Sequence, residues 1–150
     1  MRHRTRALAG LAFTAAVALG APATASSETL PTDVPTIAMT VENDSDAPMV
    51  FDTHSNPYGR WVDEPATVVP AHTTQQVTAA SSDRRGFGVQ VSYTMPGDAS
   101  VVLMANNHGT GVANADGTRI DGANRHGYTV DARVDDSYPY MNVTFTVARP

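Results

Sequence analysis

The stretch "GFGVQVSYTMPGDASVVLMA", residues 86–105, decides the fold of this chain. The apolar side chains of its first half stand at every second position: Phe87, Val89, Val91 and Tyr93. Alternation with a period of two in β-branched and aromatic residues is typical of a strand with one buried face. A Pro-Gly-Asp turn at 96–98 separates this strand from a second apolar run. The stretch therefore predicts a β-hairpin with strands at 86–94 and 100–105.

The same alternation recurs on both sides of this hairpin, in "TIAMTVEN" and in "YMNVTFTVA". It predicts strands at 37–42 and 140–148. Shorter apolar segments bounded by turn residues predict further strands at 49–53, 60–64, 75–80 and 128–134. No stretch has a helical period with caps. The sequence therefore predicts an all-β chain, with a single antiparallel β-sandwich of about seven to nine short strands over 37–150.

The first 25 residues have the pattern of a secretory signal peptide. Arg2, Arg4 and Arg6 precede a run of small and apolar residues, and the run ends in "ATA" at 23–25. The run is shorter than the ~20 residues that span a bilayer, and no later segment is long and apolar enough to do so. Residues 26–36 include Pro31 and Pro35 and predict a flexible leader. We expect a secreted protein without a transmembrane segment.

Charge and cysteine content exclude several classes of function. After residue 25 the chain has seven arginines, no lysine and fifteen acidic residues, a formal charge of −8. Such a surface repels a phosphate backbone, which argues against nucleic-acid binding, and it disfavours anionic membranes. The chain has no cysteine, so disulfides, thiol catalysis and thiolate metal sites are excluded. The lysine-free, alanine-rich composition is typical of a bacterial protein.

The stretch "ANNHGTGVANADGTRIDG", residues 105–122, is rich in glycine, asparagine and aspartate and resembles a ligand-binding loop. Its second half fails the calcium pattern of an EF-hand, because the first acidic position is missing and Ala123 stands where the closing glutamate belongs. We interpret the stretch as a glycine-shaped connection after a strand, which borders a recognition surface.

No group of residues has the pattern of a catalytic or metal site. The histidines at 54, 72, 108 and 126 are widely spaced, with no H-x-H or HExxH pair. The chain has no G-x-S-x-G motif, and its carboxylates are scattered. The sequence predicts no enzyme activity, no cofactor and no metal.

Aromatic side chains in predicted loops are the remaining candidates for binding. Trp61 lies in "NPYGRWVDEP" beside Tyr58 and Arg60, and tyrosines flank the proline of "DSYPYMN". Such rings suit an interface, although Trp61 equally fits a role as a plug at one end of the sandwich, and burial is slightly favoured. The candidate ligand-binding residues are Tyr58, Arg60, Trp61, Asn106, Asn107, His108, Tyr138 and Tyr140.

The order of three segments carries a resemblance to known families. "VENDSDAPMVF" is followed by "GRWVDEPATVVPAHTTQQVTAASS" and then by "RRGFGVQVSYTMPGDASVVLMANNHGTGVAN". This succession resembles the β-sandwich proteins of the aegerolysin and bacterial crystal-toxin type, and more distantly the actinoporins. The resemblance implies a secreted, toxin-like protein that binds lipid, with "NNHGTGVAN" at an edge of the sandwich. Actinoporins insert an amphipathic helix, which the two prolines of 26–36 oppose. We therefore expect docking on a surface, with a protein partner for any membrane damage.

The leading hypothesis is a non-enzymatic β-sandwich that recognises a membrane lipid or another surface ligand. A glycan or cell-wall binding module is the first alternative. In that case Tyr58, Trp61 and Tyr140 would stack on sugar rings, and side chains of the 105–122 stretch would bond hydroxyls: Asn106, Asn107 and Asp116. A secreted inhibitor or interaction protein is the second alternative.

Overall fold

The structure is a computed structural model that describes residues 33–109, 111–137 and 139–150. The predicted signal peptide, residues 26–32 of the leader and Tyr138 lie outside the described residues. In the described ranges the chain forms ten strands in two five-stranded sheets. No helix in these ranges is long and apolar enough to cross a bilayer.

The first sheet, sheet A, contains the two ends of the described domain. Its strands are β1 (Thr36–Asn43), β3 (Arg60–Asp63), β5 (Thr73–Ala80), β9 (Thr129–Ser137) and β10 (Tyr140–Ala148). They lie in the order β3-β5-β1-β10-β9. The central strands β1 and β10 run parallel, with Val41 beside Phe145, and the other pairs are antiparallel.

The second sheet, sheet B, is built around the hairpin that the opening stretch predicts. Its strands are β2 (Met49–Ser55), β4 (Val68–Val69), β6 (Gly86–Met95), β7 (Ala99–His108) and β8 (Arg119–Asp121). They lie in the order β4-β2-β6-β7-β8. The β6–β7 pairing runs without a register shift from Gly86 opposite His108 to Met95 opposite Ala99.

The core lies between the two sheets and is formed by the alternating apolar residues that the sequence predicted. On β1 and β10 the inward side chains are almost completely buried: Ile37, Met39, Val41, Met141, Val143, Phe145 and Val147. Leu103 and Tyr93 face them from sheet B. The Tyr93 hydroxyl donates to Gln75 Oε1 at 3.1 Å, and burial raises the pKa of this tyrosine to about 12.

The prediction of an all-β chain with two packed sheets is confirmed, and two details of it are wrong. The structure has ten strands, because β4 and β8 have only two and three residues, too few to show a period. β8 also lies inside the 105–122 stretch, which was interpreted as a connection. The sandwich is not purely antiparallel, because β1 and β10 form a parallel pair.

The chain crosses the sandwich repeatedly, so its connections gather at two ends. We call the first the loop end; it holds residues 56–59, 81–85, 109 and 111–114, together with Pro139 between β9 and β10. We call the second the turn end; it holds residues 44–48, 70–72, 96–98 and 122–128. The candidate site lies at the loop end.

Candidate functional site

The β2–β3 connection exposes a tyrosine on a backbone that is held firmly. Tyr58 is 71% exposed, the largest exposure of any described aromatic side chain. Its carbonyl oxygen accepts a hydrogen bond from the hydroxyl of Ser81, a buried residue of the β5–β6 connection. The next residue must be glycine, because a Cβ at Gly59 would lie 2.7 Å from the carbonyl oxygen of Ala80. The tyrosine ring is therefore presented to solvent from a fixed position.

A cavity lies on each side of Tyr58. The larger, of about 380 Å³, is lined by Val34, Gly59, Arg60, Ala80, Ser81 and Ser82 together with the tyrosine. The smaller, of about 250 Å³, is lined by residues of β2, β6, β7 and the loop, among them Pro57, Gly88, Met104 and Asn106, and again by the tyrosine. Tyr58 is thus a shared wall, and the two openings differ in chemistry. The larger carries a guanidinium and hydroxyls, and the smaller is mainly apolar.

Positive charge is concentrated beside the larger cavity. Arg60, Arg84 and Arg85 are three of the seven arginines that follow residue 25. Arg60 begins β3 next to the loop end and lines the larger cavity, and Arg84 and Arg85 lie within the loop end. Within the β5–β6 turn, Arg85 pairs with Asp83 at 2.7 Å. The side-chain hydrogen bond from Arg85 is the main reason why the pKa of Asp83 falls to about 2. The turn therefore keeps this ion pair at all ordinary pH values.

Trp61 is neither a fully exposed binding contact nor a fully buried plug of the sandwich. It is half-buried on β3, where it packs against the core. Its ring lies 5.1 Å from that of His54, and His54 in turn lies 5.6 Å from Phe51. This row of rings joins β3 of sheet A to β2 of sheet B. Trp61 is therefore part of the contact between the two sheets and is only partly accessible.

The asparagines at the end of β7 have different roles, because neighbouring strand residues point to opposite faces. Asn107 points inward and is 2% exposed; its amide donates to the carbonyl oxygens of Thr36 and Pro139, each at 3.0 Å. It joins the two sheets and is not accessible to a ligand. Asn106 points outward into the smaller cavity and bonds Asn114 Oδ1 at 3.0 Å. His108 is exposed at the end of the strand.

The described residues of the 105–122 stretch, 105–109 and 111–122, continue β7, form a tip and return as a short strand. Asn106 pairs with Asn114 across the tip, and β8 then pairs with β7 at Val101 opposite Ile120. Val112 at the tip is 78% exposed. Within the described parts of the chain, no group of three or more histidine, aspartate or glutamate side chains is placed to hold a metal ion.

The structure brings together only some of the predicted site residues. Tyr58, Arg60 and Asn106 share the two cavities. Tyr140 is half-buried, and its place in the alternation of β10 puts it on the outer face of sheet A, whereas Asn106 is on the outer face of sheet B. Two features of the loop end were not predicted: the exposed Val112 and the arginine pair at 84–85. A lone valine among glycines was the available signal for the first.

Comparison with known proteins identifies the fold but no family. No family model and no curated protein matches the chain. Among solved structures it is similar to the lipid binding protein Nakanori, with a TM-score of 0.63 and 7% identity over 77% of this chain and 72% of that one. It is also similar to the RahU protein, solved in complex with a TRIS molecule. That match has a TM-score of 0.53 and 13% identity over 77% of this chain and 96% of the other.

The chain shares its fold with these two proteins. At such low identity the likeness concerns the backbone alone, and the resemblance seen in the sequence is supported at the level of the β-sandwich.

Proposed function

We propose that this protein recognises a lipid surface through its loop end, with Tyr58 as the principal contact and without a chemical step. The observation that carries the proposal is the position of Tyr58: a highly exposed ring, on a fixed backbone, between two cavities. The similarity of the fold to the lipid binding protein Nakanori supports a ligand of this class.

The chemistry of the loop end fits the boundary between water and lipid. A tyrosine has an apolar body and a polar tip, and such rings are enriched where one end is wet and the other apolar. Because the Tyr58 backbone is held by Ser81, little conformational freedom is lost on binding. Arg60 and Ser82 offer donors to a polar headgroup in the larger cavity.

The overall charge selects among lipids. A chain with a formal charge of −8 after residue 25 is repelled by strongly anionic membranes. A headgroup that is neutral overall, but has an anionic atom for Arg60, avoids this repulsion. We therefore propose a zwitterionic lipid surface as the target.

Export and ancestry belong to the same proposal. The pattern of residues 1–25 supports secretion by way of a signal peptide. The order of segments that resembles aegerolysins and crystal toxins supports a toxin-like ancestry, and the absence of a catalytic pattern in the sequence supports a non-enzymatic role.

Co-sedimentation with phosphatidylcholine vesicles tests the proposal. Tyr58→Ala removes the ring and should weaken vesicle binding roughly tenfold or more, as truncation of a central interface aromatic does. Tyr58→Phe keeps the ring and should retain most of the binding. Val68→Ala is the matched control, because Val68 is an exposed apolar residue on β4, away from the loop end.

Equal binding by the wild type and Tyr58→Ala would contradict the proposed site. Retention on insoluble polysaccharide without binding to vesicles would transfer the function to the glycan alternative. The structure gives that alternative less support, since Trp61 is half-buried, Asn107 is buried and Tyr140 lies on the other sheet's outer face.

A further inference from the structure

The four edge strands of the two sheets are very unequal. β4 has two residues and β8 has three, and β3 has four with a register shift after Trp61. Short and irregular edges of this kind protect a sheet from pairing with another chain. β9 is the exception among the described strands: it has nine residues and pairs with β10 without any shift.

The side chains of β9 form two different rows. The side chains that the structure describes in the row facing the core are apolar and half-buried: Val130, Ala132 and Val134. The row that faces outward alternates in charge, with Asp131, Arg133 and Asp135. Arg133 and Asp135 lie 3.6 Å apart and are 77% and 66% exposed, so their mutual attraction is weak. The free edge therefore has a definite charge pattern that another strand could match.

We infer that β9 pairs in antiparallel fashion with β9 of a second copy of this chain. When Ala132 lies opposite Ala132 of the partner subunit, Asp131 lies opposite the partner's Arg133, and the two-fold axis repeats that pair. Val130 then lies opposite the partner's Val134, so the apolar row is also matched. Opposite charges at directly paired positions stabilise an antiparallel ladder, and like charges destabilise it.

The charges and the apolar row together select one register. A shift by four residues also places Arg133 opposite the partner's Asp135, but it puts Ala132 opposite the partner's Asp136 and so breaks the apolar match. A shift by two residues places Arg133 opposite the partner's Arg133 and Asp131 opposite the partner's Asp135, which is repulsive at every charged position. A neutral strand of another protein would leave all three charges without a cross-strand partner. The edge therefore favours its own copy over unrelated strands.

The pairing would join the two copies of sheet A into one continuous sheet of ten strands. Since the paired β9 strands run in opposite directions, the two loop ends would point away from each other. This arrangement goes beyond the proposed lipid recognition, and it does not depend on lipid.

The test is the oligomeric state of the purified protein, measured without lipid by sedimentation equilibrium over a range of concentrations. Asp131→Arg places like charges opposite each other twice per dimer, and it should raise the dissociation constant roughly tenfold or more. The double variant Asp131→Arg/Arg133→Asp restores opposite charges and should bring the constant back toward the wild-type value. Asp135→Arg makes the same change of net charge opposite Thr129 of the partner, and should leave the dimer in place.

Three results would overturn the inference. The first is a wild-type protein that stays monomeric up to its solubility limit. The second is equal weakening by Asp131→Arg and Asp135→Arg, which would show an effect of net charge alone. The third is a double variant as weak as Asp131→Arg. Since no lipid is present, none of these results bears on vesicle binding by the loop end.

Discussion

The two ends of the sandwich are held together in the same way but present different surfaces. At the turn end, Asn43 is buried, and its amide donates to the carbonyl oxygens of Val69 and Pro70 at 3.0 and 3.1 Å. At the loop end, the amide of buried Asn107 likewise donates to two backbone carbonyl oxygens, those of Thr36 and Pro139. The loop end alone also carries highly exposed large apolar side chains, Tyr58 and Val112. Rigid connections are therefore common to both ends, and a surface suited to binding is found at one.

The surface of the turn end is polar and locally paired. His72 bonds Asp46 at 3.0 Å, and the Asp98 carboxylate accepts from the backbone of Ala123. These groups satisfy one another and offer no apolar contact. The difference between the ends therefore lies in what the loops expose, since a buried asparagine holds backbone carbonyls at both.

The largest expected effect is a loss of stability when either buried asparagine is removed, and it tests whether both ends are held in the same way. Asn107→Ala and Asn43→Ala each remove at least two hydrogen bonds from a buried side-chain amide to backbone carbonyls and leave a cavity in its place. Each should therefore lower the free energy of unfolding by about 2–4 kcal/mol. Chemical denaturation measures the loss. His108→Ala, at the exposed neighbouring position, should change it by less than about 0.5 kcal/mol. A loss at one asparagine and none at the other would show that the ends are held differently.

A second, smaller effect concerns the half of the core near the turn end, where Tyr93 is buried. Because burial raises the pKa of Tyr93 from 10.0 to about 12, the unfolded chain ionises first as the pH rises. The stabilisation is complete below pH 10 and should be lost between pH 10 and about 12, by an amount on the order of 2 kcal/mol. Denaturation curves at several alkaline pH values measure it. Tyr93→Phe should remove this dependence, and an unchanged alkaline loss in the variant would assign it to other groups.

The sequence predicted the long strands because a buried face leaves a period of two over many residues. β4 and β8 are too short to show a period, and their pairing depends on long-range contacts with β2 and β7. The parallel pairing of β1 with β10 depends on how the two ends of the domain meet. Local patterns carry no information of that kind.

The candidate site was likewise predicted only in part. Tyr58 and Arg60 were predicted, since an aromatic and a cation in a proline- and glycine-bounded loop suit an interface. Asn106 and Asn107 were not distinguished, because the predicted strand ended at residue 105. Once β7 continues to His108, the alternation points Asn107 inward. The cavities themselves arise where loops distant in the sequence meet, which residue types alone do not predict.

The central claim is that the loop end, and not the turn end, meets the lipid surface. The chain has no cysteine, so one cysteine can be introduced and labelled at each end: Val112→Cys at the loop end and Ala123→Cys at the turn end, both at exposed positions. With a polarity-sensitive fluorophore at each site, addition of phosphatidylcholine vesicles should shift the emission of the Val112→Cys label to the blue and leave the Ala123→Cys label unchanged. A blue shift at Ala123→Cys alone, or equal shifts at both ends, would contradict the account.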